Sequence, residues 1–526
     1  MLGVKLSAPD IVVGSHIYSS TNKRGICMLS IRQYLFILVI LSLFLPLGLY
    51  PLFDLGESTF SEITRQMIAS QNLLSPPYSE NLAYDAFTPI YWPQIITTSL
   101  LGWHEWALRL PSALAITIWV YAVYQFSRSH LDRARAQITA VFCITCLATS
   151  FIGRSATSCA LVNLCLTCNM FCLFNYLSAN NNYRMLNLFY LSLGLGFLTQ
   201  EYVAFLTPLL TIFYQSLHTQ SFDTFNRLYR PKSFLWLCLI PLIWFCTQHL
   251  GQGFTFLQNI SPSPSSTYYS TWCNALALLI CMMPFSGLLI PTFQNILKKP
   301  IDEFTTFLLA WTCSICLLYF VDSEPSYYYL FYSLTPLFLL IAKFSDENPN
   351  YFWLSFPVGA TFFLLVFTPS LFTTGLLWFD TPYIEVLSQD ITRLFSHSYQ
   401  LQMLLCGAGA IAPWYVLDGF NYSQRLIFTG LFFSVAVNFI LLPTLSSIEQ
   451  LPIKHAAQYL RKHPHNVVPY GLSAPSLSVY AKLKMRDNIP TPGDMVLLRA
   501  HLLSDFKHYS IQFYENGIYL IKLKRD

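Results

Sequence analysis

The run RQYLFILVILSLFLPLGLYPLF, residues 32–53, holds a single charge, Arg32. About thirteen runs of this kind follow one another between residues 33 and 443, each near the roughly 20 residues that a bilayer crossing needs. No water-filled surface can accommodate so many, because each would leave a face that water rejects. Composition agrees: the chain is 54% hydrophobic and 11% charged, against roughly 25% charged in a soluble domain. The expected fold is an all-α polytopic membrane protein of about thirteen transmembrane helices.

Charge placement orients the spans. With the N-terminus in the cytoplasm, Arg128, Arg133, Arg135, Arg184, Arg227, Arg230, Lys232, Lys298, Lys299, Lys343 and Arg425 all fall on the cytoplasmic side. The outer loops and helix mouths keep only Arg65, Arg109, Arg154 and Arg393. The positive-inside rule therefore predicts a cytoplasmic N-terminus and, with an odd span count, an external tail. The expected organisation is a cytoplasmic segment over 1–30, a membrane domain over 31–443 with a large outer loop at 54–105, and an external α/β domain over 444–526. The first 30 residues lack the order of a signal peptide, and Met28 stands as an alternative start just ahead of the first run.

In the tail, IEQLPIKHAAQYLRKH has helical periodicity, NVVPYG and DMVLLRA read as short strands, and SIQFYENGIYLIKLK reads as a hairpin. The 14 cysteines lie almost entirely inside apolar runs, so no disulfide framework is expected and packing is the reading for Cys143, Cys146, Cys165 and Cys168. His455, His463 and His465 lack the spacing of metal ligands. No glycine-rich nucleotide loop occurs, which argues against nucleotide use, and nothing points to nucleic acid.

The informative stretch is FDLGESTFSEITRQM, residues 53–67. Thr59 followed by Glu62 fits a capping box. Phe60, Ile63 and Met67 share one helical face, and Ser61, Glu62, Arg65 and Gln66 share the other, which predicts a helix lying in the membrane interface, apolar side down. Asp54 and Glu57 come just before it. Downstream lie Asp85, then Glu105 in the first turn of the second span, where the helix dipole favours an acid, with Arg109 one turn further in. Carboxylates at a lipid–water boundary have two jobs open to them: general base on an acceptor hydroxyl, or ligands of a divalent cation that grips a lipid phosphate, for which Glu57 and Asp85 are the candidates. Arg65, Arg109 and Arg154 are candidate phosphate contacts.

The pieces ESTFSEITRQM, DAFTPIYW, ALRLPSALA and GLGFLTQEYVAFLTPLL, in that order, resemble the GT-C-type membrane glycosyltransferases, and within them the lipid A aminoarabinose transferases, related to the protein O-mannosyltransferases. The likeness covers residues 33–220, and VVPYGLSAPSLSVYAKLK is similar to that branch's external domain. The resemblance implies transfer of a sugar from a polyprenyl-phosphate carrier to a glycolipid or protein acceptor at the outer face of a bacterial inner membrane, with inversion at the anomeric carbon. It implies a catalytic set of Glu57 and Asp85, with Asp54 standing in for the Asp that the family pattern places at Gly56. The family pattern is broken at Gly56, Thr59, Ala86, Cys159 and Gln200, where it implies Asp, Arg, Lys, Asp and Lys. Two other functions stay open: a non-catalytic relative that binds carrier lipid or a partner subunit, and a transporter. The later spans show few charges and no evident repeat, which speaks against transport.

Overall fold

The computed structural model of the protein describes residues 31–54, 56–74, 90–178, 182–199, 202–220, 223–252, 271–321, 328–345, 351–367, 369–370, 395–416, 420–483 and 489–524. All thirteen expected spans are helical over much of their described length. Four helices, Glu105–His130, Cys159–Ser178, Glu303–Phe320 and Tyr422–Glu449, are long and apolar enough to cross a membrane. Shorter apolar helices include Gln33–Gly48, Val203–His218, Pro231–Thr247, Tyr329–Phe344 and Phe352–Val366. Large apolar side chains point both ways. Trp119, Phe142, Trp311 and Phe338 are fully buried between helices, while Leu100, Leu235, Phe363 and Leu405 lie open on the surface. A water-soluble protein rarely shows such outward-facing apolar residues in quantity; a lipid-facing one requires them.

Local chemistry sets the helix ends. Glu105 opens the Glu105–His130 helix, and Arg128 and His130 close it, each complementing the helix dipole. Asp132 then caps the helix Arg133–Thr145, its carboxylate accepting from the Arg135 amide at 2.8 Å. Mid-domain, Trp119 Nε1 donates to Thr335 Oγ1 at 3.0 Å across 216 residues of sequence, so a polar tip inside the apolar core is satisfied.

The expected span 271–290 is two pieces. The helix Thr271–Cys281 stops, the chain turns over Met282–Phe285, and a second helix runs Leu289–Lys298. Pro284 lacks the amide that a continuous helix would use there. Gly287 in this turn lies against the helix Phe352–Val366: a Cβ on it would stand 1.9 Å from the Trp353 carbonyl oxygen and 2.5 Å from Pro357 Cγ. Gly287→Ala is expected to destabilise the protein by about 1–3 kcal/mol or more, since backbone must move. A thermal unfolding curve in detergent reads this, and an unchanged midpoint would contradict the close packing described.

The tail forms a four-stranded sheet from β1 (Val467–Pro469), β2 (Met495–Arg499), β3 (Tyr509–Glu515) and β4 (Ile518–Leu523). The order is β1-β2-β4-β3, with β1 and β2 parallel and the other pairs antiparallel. Asn516 and Gly517 take positive φ in the β3–β4 turn, as a tight hairpin requires. The helices Leu451–Lys462 and Pro475–Ala481 cover one face, burying Ile453, Leu460, Leu477, Leu497 and Leu520 together.

Candidate active site

The helix over the opening stretch runs Glu57–Ala69 and starts two residues before the expected capping box. Gly56 is its N-cap, at φ 101°, a left-handed conformation that side chains resist. Gly56 also stands where the resemblance implies Asp, so the replacement is built into the local backbone. Glu62 does not reach back to Thr59; its carboxylate takes Arg65 Nε at 2.7 Å, Arg65 Nη2 at 2.6 Å and Gln66 Nε2 at 2.8 Å.

The apolar face of this helix does not lie on lipid. Phe60, Ile63 and Met67 pack with Ile90, Tyr91 and Ile95 of the neighbouring loop helix, Tyr91–Leu101. Ser61 and Glu62 on the other face are buried too. A helix can expose its apolar side to lipid only while no protein element competes for it, and here two do. One is the loop helix. The other is the tail helix Pro475–Ala481, against which the first-loop helix also packs.

At its first turn, Glu57 meets Arg109. The two pair in bidentate fashion, Nε to Oε1 at 2.8 Å and Nη2 to Oε2 at 2.7 Å. The remaining Arg109 hydrogens go to main-chain oxygens of Leu47 (2.8 Å), Tyr50 (2.9 Å) and Pro51 (2.9 Å). All five N–H groups of the guanidinium are thereby used. Glu57 also accepts the amides of Phe53 (3.1 Å) and Ala156 (2.9 Å), which fills the four acceptor positions of a carboxylate. Burial alone would raise the Glu57 carboxyl; Arg109 and the two amides hold it below its ordinary value. The pair joins four segments: the end of the first span, the first-loop helix, the second span and the stretch after the third.

Asp54 sits beside this clasp. Its Oδ1 accepts the Ser476 amide at 2.8 Å and the Ser58 hydroxyl at 3.1 Å, and its Oδ2 faces the Gln450 amide nitrogen at 3.1 Å. Burial pushes the Asp54 carboxyl up to about 6, against the pull of the Ser476 and Ser58 bonds. The tail therefore closes over the loop. Tyr480 strengthens the closure: its hydroxyl accepts the Leu52 amide at 2.8 Å and donates to Glu105 at 3.1 Å, and Glu105 also pairs with Lys454.

Arg154 is buried beside Tyr50. The Tyr50 ring contacts both guanidiniums, its centroid 4.3 Å from Arg109 and 5.5 Å from Arg154. So the structure brings Asp54, Glu57, Arg109 and Arg154 into one cluster. Arg65 is held by Glu62, and Asp85 lies outside the described residues, as do Gln200 and Glu201. Gln94, Tyr50 and Tyr480 belong to the site and carried no sequence signal. Gln94, fully buried, accepts from Thr64 at 2.7 Å and donates to the carbonyls of Leu108 and Ala156. A cation does not fit at Glu57, whose oxygens have no lone pair to spare. Among the described residues, no group of three or more His, Cys, Asp or Glu could hold a metal.

A helical membrane domain with its first loop tucked beneath a small α/β tail has a counterpart among solved structures. The chain takes that fold: it superposes on the crystal structure of ArnT from Cupriavidus metallidurans bound to undecaprenyl phosphate with a TM-score of 0.75, at 13% identity, over 93% of this chain and 97% of the other. The model of the dolichyl-phosphate-mannose-protein mannosyltransferase family matches residues 89–248. Among individual proteins, the chain is similar to the undecaprenyl phosphate-alpha-4-amino-4-deoxy-L-arabinose arabinosyl transferase of Erwinia tasmaniensis, 25% identical over 57% of this chain and 56% of that one. It is also similar to the second such transferase of Proteus mirabilis, 23% identical over 58% of each. The chain spans about half the length of the curated relatives it matches.

Proposed function

We propose that this protein is a membrane glycosyltransferase that moves a sugar from a polyprenyl-phosphate carrier to a hydroxyl of an envelope acceptor, a lipid A-like glycolipid or a protein. It works at the outer face of a bacterial inner membrane, with the N-terminus cytoplasmic and the tail periplasmic. The observation that carries this reading is the first-loop cluster, in which Asp54, bonded to the Ser58 hydroxyl and the Ser476 amide, lies three residues before Glu57 and its buried ion pair with Arg109. The likeness to an undecaprenyl phosphate-bound structure and to named aminoarabinose transferases supports the donor class.

Each residue has a part. Asp54 is the general base, its Oδ2 taking the acceptor proton once the Gln450 amide gives way. The acceptor oxygen bonds to the anomeric carbon, the bond from that carbon to the carrier phosphate oxygen breaks, and the carrier leaves as a phosphate. A carboxyl near 6 is well matched to this task, since a base works best with a pKa near the working pH. Glu57 and Arg109 hold the loop in place rather than touch substrate, as their full hydrogen bonding implies. Asp85 joins the catalytic set and Arg65 the phosphate contacts on the resemblance alone, and no step passes through a metal at Glu57.

Mass spectrometry of envelope glycolipids tests the reading. A deletion strain is expected to lose one sugar-bearing species, wild type to restore it, and Asp54→Asn not to. An unchanged glycolipid profile in every strain would overturn it and favour the second reading, a non-catalytic relative that binds carrier lipid or a partner subunit. One observation speaks for that alternative: Glu57, Glu62 and Glu105, three of the four described first-loop acids, are consumed by ion pairs.

A further inference from the structure

Three helices of the membrane domain each contain a π-helical stretch: Ile40–Phe44, Thr149–Gly153 and Ala436–Leu441. Such stretches are rare and concentrate at functional sites. Here all three meet. Ser42 lies in the first, Ser150 in the second with Arg154 at its end, and Asn438 in the third. Arg154 Nη1 donates to the Ser42 carbonyl at 3.4 Å and its Nε to the Ser150 carbonyl at 2.9 Å. Asn438 Nδ2 reaches the same Ser42 carbonyl at 3.5 Å, and Ser434 Oγ donates to Ser42 Oγ at 2.7 Å. A π turn displaces the main-chain ladder by one residue, so carbonyls there are available to side chains.

The cluster has donors left over. Arg154 uses three of its five N–H groups, the third bond being Nη2 to the Tyr50 hydroxyl at 2.8 Å. Tyr50 keeps its own hydroxyl hydrogen. Ser150 Oγ and Asn438 Oδ1 are buried with no partner among the described residues. Charge is also unbalanced. Arg109 is neutralised by Glu57, whereas Arg154, 1% exposed, forms no ion pair among the described residues. A buried guanidinium inside a membrane domain is costly unless an anion accompanies it.

We propose that Arg154, together with Tyr50, Ser150 and Asn438, is the seat of a phosphoryl group in this protein. The proposal rests on the carrier-lipid reading above, and it places the carrier's phosphate on Arg154 where the resemblance implies lysines at Ala86 and Gln200. Two spare N–H groups, two hydroxyls and one positive charge match the oxygens of a phosphate ester. The amide oxygen of Asn438 suits the hydroxyl of a monoprotonated phosphate. The seat is closed to bulk water, so a phosphate entering it sheds its shell and each contact counts for more. Entry calls for local opening of the helices around Arg154.

Binding to the full-length protein in detergent tests this, with undecaprenyl phosphate, undecaprenol and inorganic phosphate as separate probes. Wild type is expected to bind undecaprenyl phosphate and not undecaprenol. Arg154→Gln is expected to weaken binding tenfold or more, as loss of charge-assisted bonds does. Asn438→Asp is the sharper variant, because it supplies an internal counter-ion. It should weaken undecaprenyl phosphate equally while keeping or raising the melting temperature without ligand, which a misfolded variant could not do. Ligand protection by inorganic phosphate at affinity equal to that of the lipid would make free phosphate the occupant and overturn the carrier assignment. Wild-type affinity for the lipid in both variants would overturn the seat itself while leaving the transferase reading intact. Absence of phosphoryl binding in wild type would overturn the seat, and the glycolipid profile of the deletion strain then decides the transferase reading separately.

Discussion

Glu57→Gln is expected to destabilise the protein by about 3–5 kcal/mol, the cost of leaving one partner of a buried ion pair without its counter-ion. The geometry explains why so small a change costs so much. Glu57 accepts four hydrogen bonds, two from Arg109 and one each from the amides of Phe53 and Ala156. A glutamine offers one acceptor oxygen and turns an NH₂ group toward donors. Arg109, fully buried, would keep its charge with no anion beside it. Arg109→Gln should cost a similar amount, and the double variant less than the sum, because each change removes the reason for the other's penalty. Thermal unfolding in detergent reads all three, and a Glu57→Gln midpoint within a degree of wild type would show that the clasp does not hold the loop.

The pH dependence of this clasp has a definite sign. Arg109 holds the Glu57 carboxyl below its ordinary 4.5, so its contribution is complete above about 4.5 and is lost as pH falls through the lower folded value. Asp54 behaves oppositely. With its carboxyl raised from 3.8 to about 6, its stabilising effect is complete below 3.8 and is lost as pH rises through 6. At neutral pH the charged Asp54 is therefore a burden that the site tolerates.

From that follows the second large expectation. Asp54→Asn should lower sugar transfer by a factor of roughly 10²–10⁴, the usual contribution of a positioned general base, without lowering stability at neutral pH. The Ser476 amide keeps its acceptor, since the side-chain oxygen of Asn replaces Oδ1. In wild type the rate should rise with pH through about 6 as Asp54 loses its proton. That limb should be missing from the residual activity of Asp54→Asn. A variant with wild-type rate and the same ascending limb would remove Asp54 from the chemistry, and a variant that also melts early would assign its effect to docking of the tail.

Much of the scaffold is legible in the residues. Apolar runs specify spans because a bilayer rejects unpaired backbone, and only a helix satisfies its backbone within one segment. The tail's helix and hairpin follow from periodicity and from the ENG turn. The concentration of acids and arginines at the start of the first loop marks where the site lies. The partnerships are another matter. Glu57 and Arg109 are 52 residues apart, and Leu52 and Tyr480 are 428 apart; no local pattern encodes either. The first-loop helix reads as an interfacial one because its sequence is amphipathic, yet it is buried on both faces.

Residue order alone specifies where the apolar helices lie, the kind of tail and the polar composition of the first loop, since each depends on the free energy of a residue in water against lipid or in one backbone geometry. Folding in three dimensions settles which acids are free and which are spent, that the tail closes over Asp54, and that three π stretches meet around Arg154. Those outcomes depend on which donors and acceptors long-range packing leaves opposite one another, and hydrogen bonding acts over about 3 Å, a distance that sequence separation does not measure.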